Sequence, residues 1–167
     1  MLKFNSFIMV SGLMLTVSMA SAQETLFKTY EKTANDLVVL IQSDAPTLPV
    51  AQIKERNSEL LFLGIQIMDL YGSTYTQCQA QYADLKTKLS KMESLSSDEI
   101  HDFYHDGKDL PQAPSYCYIG RSLVVHPAMS AARLRDGQIS LDDKEIIEEE
   151  TREVAEHVVS VAKKLEN

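Results

Sequence analysis

The chain has 167 residues, 24% of them charged and 44% hydrophobic, with a formal net charge of −8. That balance belongs to an ordinary globular domain rather than to a disordered or fibrous chain. An acidic surface repels phosphate backbones and anionic membranes, which argues against nucleic acid and leaves a cationic partner open.

The first residues, MLKFNSFIMVSGLMLTVSMASAQ, have one basic residue (Lys3), an apolar run from Phe7 to Ala20 and a small-residue end, Ala20-Ser21-Ala22. This is the pattern of a cleavable secretory signal, and the run is shorter than the roughly 20 residues of a membrane span. The expected organisation is therefore a signal peptide over 1–22 and a single helical domain over 23–167. The expected address is export, to the periplasm or the medium, with no stable membrane anchor after cleavage. Removing the leader removes Lys3 and no acid, so the remaining chain is more acidic still.

Helical periodicity then dominates. Leu26, Phe27, Tyr30, Ala34, Leu37, Val38 and Ile41 recur at steps of three and four and predict an amphipathic helix over about 24–43. The segment SDAPTLP, with Pro46 and Pro49, ends it. The next stretch carries the most regular stripe in the chain: Asn57, Leu61, Gly64, Met68, Tyr71, Tyr75, Cys78, Tyr82, Leu85, Leu89 and Met92. Alternating steps of four and three put all of them on one face, and the spacing predicts one long helix over 50–93, continuous or bent, with a helix–turn–helix broken at Gly72-Ser73 as the alternative. The tyrosines on this stripe read as core and rim positions.

Ser96 followed by Glu99 is a capping box, and it predicts a short helix over 97–106 that stops at Gly107. KDLPQAPSYCYIG reads as a loop. RSLVVHPAMSAARLRDG predicts a helix that kinks or restarts at Pro127. The last helix, over 141–165, has Ile147, Thr151, Val154, Val158, Val161 and Leu165 on one stripe, acids at its start and Lys163 and Lys164 at its end. No strand pattern is visible. The fold class is all-α: a helical bundle of four to five helices with one long central helix.

Cys78 and Cys117 are the two cysteines of the chain, and an even pair in an exported protein reads as a structural disulfide. Neither belongs to a C-x-x-C motif, so thiol–disulfide catalysis has no support.

His101 and His105 lie at i and i+4, the spacing at which two imidazoles share one helix face and one metal ion. With Asp102 the run is H-D-x-x-H, similar to the H-E-x-x-H of zinc peptidases but one methylene short at the base position. A third ligand is required, with Asp106, Asp109 and His126 as candidates and zinc or copper as the implied ion. A bland reading competes: histidine is favoured near a helix C-terminus by the dipole alone. His126, before Pro127, reads as a core residue, and His157 as a solvated one. The acids Asp142, Asp143, Glu145, Glu148, Glu149 and Glu150 read as a solvated face that can dock a basic partner. RDGQISLDD has the glycine of a calcium loop without its carboxylates, since Ala132 and Leu134 occupy the first ligand positions.

No nucleophile elbow, phosphate loop or haem attachment site is present, so nothing in the sequence assembles an enzyme. The leading expectation is an exported, non-enzymatic helical protein that acts by binding another molecule, most simply a protein. The alternatives are a zinc- or copper-binding bundle built on His101 and His105, and an acid-stress or pH-responsive chaperone.

Overall fold

A computed structural model describes residues 11–43 and 49–166. The charged start of the expected leader, the first part of its apolar run, and most of the proline-containing segment between the first two helices lie outside the described residues.

Among the described residues the chain is helical without strands. Six α-helices occur in order: α1 (Ser11–Gln42), α2 (Val50–Thr74), α3 (Gln79–Met92), α4 (Ser97–Ile100), α5 (Tyr118–Arg133) and α6 (Leu141–Glu166). That is one or two more than the bundle of four to five that periodicity predicts. The single turn α4 is what forms of the short helix predicted over 97–106. An additional helix comes from the stripe over 50–93, which is not one helix.

The stripe itself survives the break. Asn57, Gly64, Met68, Tyr71, Cys78, Tyr82, Leu85 and Met92 are all buried, although the helix stops at Thr74 and resumes at Gln79 after a tight turn. The stop falls at Tyr75 (φ −102°, ψ 78°) rather than at Gly72-Ser73. Tyr75 is tied down by its neighbours: its ring lies 4.4 Å from that of Tyr71 and 5.5 Å from that of Tyr116, and its hydroxyl donates to the Lys164 carbonyl at 2.8 Å. Three residues later Cys78 is joined to Cys117 by a fully buried disulfide.

Helices α1, α2, α5 and α6 form a closed ring in which each packs on two neighbours: α1 on α2 and α6, and α5 on α2 and α6. Their apolar stripes fill one core, with Tyr30, Leu37 and Ile41 from α1, Leu60 and Ile67 from α2, Leu123 and Val124 from α5, and Ile147 and Val154 from α6. The segment α3 to α4 and the loop after it leave this ring and return to it at Cys117.

Helix α5 runs unbroken through Pro127, where the sequence predicts a kink or restart. A proline inside a helix removes the N–H that would bond the carbonyl four residues earlier, here Leu123. Tyr30 of α1 supplies the missing donor, its hydroxyl 3.0 Å from the Leu123 carbonyl oxygen, and Asn57 of α2 donates to the Pro127 carbonyl at 2.8 Å. Helix α2 reaches this place by way of Gly64: a Cβ there would stand 2.1 Å from the Leu123 oxygen. The neighbouring helices thus supply the bonding that the proline removes.

Among the described residues no helix is long and apolar enough to cross a membrane.

Candidate metal centre

The capping box forms as the sequence predicts: the Glu99 amide donates to the Ser96 hydroxyl, and the Glu99 carboxylate accepts from the Ser96 amide. Beyond Ile100 the backbone departs from the α-helical path. Residues His101–His105 make a π-turn, with the Asp106 amide donating to the His101 carbonyl at 2.9 Å. In an α-helix the fifth residue on lies about 140° around the axis from the first. The wider π-turn carries it back toward the first, which puts Asp106 beside both histidines; single π-turns of this kind recur at functional sites.

His101, His105 and Asp106 therefore converge, with one donor atom of each inside a sphere where all pairs lie within 4.8 Å. Asp106 Oδ1 stands 3.5 Å from His105 Nδ1 and 3.9 Å from His101 Nδ1, and the two imidazoles stack with centroids 4.4 Å apart. Ligands held at 2.0–2.1 Å from a tetrahedral ion are separated by about 3.4 Å. The two histidine–aspartate distances are near that spacing and too long for good hydrogen bonds. His105 Nδ1 is buried without a hydrogen-bond partner, which costs on the order of 1–3 kcal/mol unless something occupies it.

The opposite nitrogen of His105 is held. Tyr118 Oη lies 2.6 Å from His105 Nε2, and Arg121 donates to the His105 carbonyl at 2.7 Å. In the tautomer whose Nε2–H donates to the tyrosine oxygen, Nδ1 carries a lone pair that faces Asp106. Gly107 closes the turn at φ 76°, a left-handed conformation, with Arg121 packed against it.

The protonation states suit ligation. Burial, then the nearby His126 and His101, hold the His105 pKa below its ordinary value, so the ring is neutral at pH 7. Partial burial opposes ionisation of Asp106, but His105, His101 and Lys108 together outweigh it and hold its pKa below the usual carboxylate range. A transition metal needs both groups deprotonated.

All four histidines of the chain meet here. The His126 ring lies 5.0 Å from that of His105 and 5.5 Å from that of His157, while Tyr118 lies 5.2 Å from His105 and 5.6 Å from His157. His126 Nδ1 is bonded to Glu150, with Glu153 3.7 Å away, and His157 Nδ1 is bonded to Ser122 at 2.8 Å. His157 is thus not a solvated residue, and Glu150 is not part of a solvated acidic run. Each directly precedes a buried stripe residue of α6, Val158 for His157 and Thr151 for Glu150, and both face α5 instead of water. Burial, then His126 and His105, lower the His157 pKa to about 4.

The remaining candidates are engaged elsewhere. The Asp109 carboxylate is within 3.4 Å of both Lys88 and Lys91, and Asp102, at the base position of H-D-x-x-H, is 3.0 Å from Lys108. Asp143 caps α6 through Ser140 and meets Arg133, and Glu148 pairs with Arg152.

A surface cavity of about 400 Å³ reaches the cluster, bounded by Ser97, His101, Phe103, Met129, Arg133 and Glu150 among others. It touches both the outer triad, at His101, and the carboxylate that holds His126.

Spacing found the outer pair but not its surroundings. A signal was present: Tyr118, Ser122 and His126 recur at four along α5, and Glu150, Glu153 and His157 at three and four along α6. Polar residues at core spacing on two otherwise apolar faces imply that the faces meet around a polar group.

Comparison of this chain with protein-family models, with curated proteins and with solved structures finds no match.

Proposed function

We propose that this chain is an exported helical protein that binds a transition-metal ion, zinc or copper(II), at His101, His105 and Asp106. The observation that carries the reading is the convergence of three donor residues, with a buried imidazole nitrogen that has no other partner. Two nitrogens and one carboxylate oxygen form a donor set that both ions accept. Tyr118 on the far nitrogen of His105 is the orienting contact that metal-binding histidines almost always have. The cavity beside His101 gives the ion a route in. Export is supported by the leader pattern and by the buried disulfide, which is at home in an oxidising compartment.

This reading is preferred to a protein-docking role. Among the described residues the large apolar side chains that stand well out in water, Val39, Phe62 and Leu141, lie on three different helices. Much of the acidic run expected to attract a basic partner is used within the fold, through Asp143, Glu148 and Glu150.

Calorimetric titration of the chelator-treated protein with Zn(II) and Cu(II) tests the reading. One site per chain is expected, weakened at least about 100-fold in His101→Ala/His105→Ala, in line with the loss of two direct ligands. A wild type that takes up neither ion would rule the function out.

A further inference from the structure

The outer triad leaves the inner histidine unexplained. His126 is 2% exposed, its Nδ1 is bonded to Glu150, and its Nε2 is sealed from water with no hydrogen-bond partner. With Nδ1–H donated to the carboxylate, Nε2 keeps a bare lone pair. A carboxylate behind one imidazole nitrogen and a free lone pair on the other is the arrangement in which histidine is presented to a metal.

The spacing to the outer site agrees. Two imidazoles that share a tetrahedral ion hold their centroids about 5 Å apart, from a metal–nitrogen bond of 2.0–2.1 Å and a ring radius of about 1.2 Å. The His105 and His126 centroids are 5.0 Å apart. Both rings carry a buried nitrogen without a partner, Nδ1 on His105 and Nε2 on His126. Glu150, which holds His126, also borders the cavity that opens at His101.

Building on the metal reading above, we infer that His126 Nε2 is the inner ligand of the same ion and that Glu150 is the residue that positions it. His126 is not among the donors that already lie within 4.8 Å of one another, so loading has to close a remaining gap between His126 Nε2 and the outer donors. The completed set is three imidazoles and one carboxylate, from the π-turn and from α5. The ion then ties the π-turn to the bundle, and Glu150 extends that tie to α6.

Copper(II) itself is the probe. The full chain loaded with one equivalent of Cu(II) is examined by hyperfine-resolved electron paramagnetic resonance, which counts coordinated imidazoles. Three are expected in the wild type and two in His126→Ala. Glu150→Gln is expected to keep three while losing 10- to 100-fold in copper affinity, the usual effect of removing an orienting contact. Two imidazoles in the wild type, or an unchanged count in His126→Ala, would overturn the inner ligand and leave the outer triad standing. A wild type that binds neither copper nor zinc would overturn both. The wild-type count needs no variant, so it decides the matter even if His126→Ala fails to fold.

Discussion

Tyr118 grips His105 by the nitrogen opposite the one that faces Asp106, and the contact orients the ring. Burial raises the pKa of the tyrosine hydroxyl, so it stays protonated at neutral pH and remains available to accept from Nε2–H. Tyr118→Phe is therefore expected to weaken zinc binding by 10- to 100-fold, with the far-ultraviolet circular dichroism unchanged. Titration of both proteins in the same buffer checks this, and equal affinities would remove Tyr118 from the site. At this scale the sequence was half legible. His101 and His105 could be paired because four positions along one turn is a local relation. The contacts of His126 with Glu150 and of Ser122 with His157 join α5 to α6 across 24 and 35 positions. Such pairings depend on which helix faces meet, and a single sequence does not state that.

Among the elements, α5 is the one whose form depends most on its neighbours. Pro127 would be expected to break it, yet Tyr30 takes up the Leu123 carbonyl that the proline leaves unbonded, and Gly64 lets α2 pass close by. In Gly64→Ala the new methyl group would meet backbone rather than a flexible side chain, so α2 must shift away from α5. A loss of roughly 3 kcal/mol or more is expected, read as a lower urea midpoint. A midpoint within experimental error of wild type would mean that α2 and α5 leave room for a methyl group between them. The long stripe over 50–93 makes the complementary point. Its face was readable because burial tracks periodicity, but its break was not, because Tyr75 and the Cys78–Cys117 bridge act through partners distant in sequence. The bridge closes a loop with a sequence separation of 39 residues. In the loop-entropy model this contributes about 4 kcal/mol, so Cys78→Ala/Cys117→Ala is expected to lower the unfolding free energy by about that amount. Denaturant unfolding of the two proteins is the check.

For the whole molecule, gathering every histidine into one half-buried cluster makes stability depend on pH. His157 has a folded pKa of about 4 against an ordinary value near 6.5. The unfolded chain therefore binds this proton more readily than the folded one. Its effect is absent above pH 6.5, grows as the pH falls from 6.5 to 4, and is complete below 4. Allowing for the partial exposure of the ring, the loss is on the order of 1–2 kcal/mol. His157→Gln should show a shallower fall in stability across that interval than wild type, measured by urea unfolding at a series of pH values. Parallel profiles would mean that His157 titrates freely. The groups facing it are Ser122, His126 and Tyr118, with Glu150 and Glu153 beyond His126. They tie this acid-sensitive group to the cluster in which the metal site is proposed. The measurement that tests the central claim most directly is the metal content of the protein, purified from an oxidising compartment without chelator, beside His101→Ala/His105→Ala. About one zinc or copper per chain, lost in the double variant, is the predicted result. A wild type that is empty as purified and stays empty after incubation with either ion would contradict it.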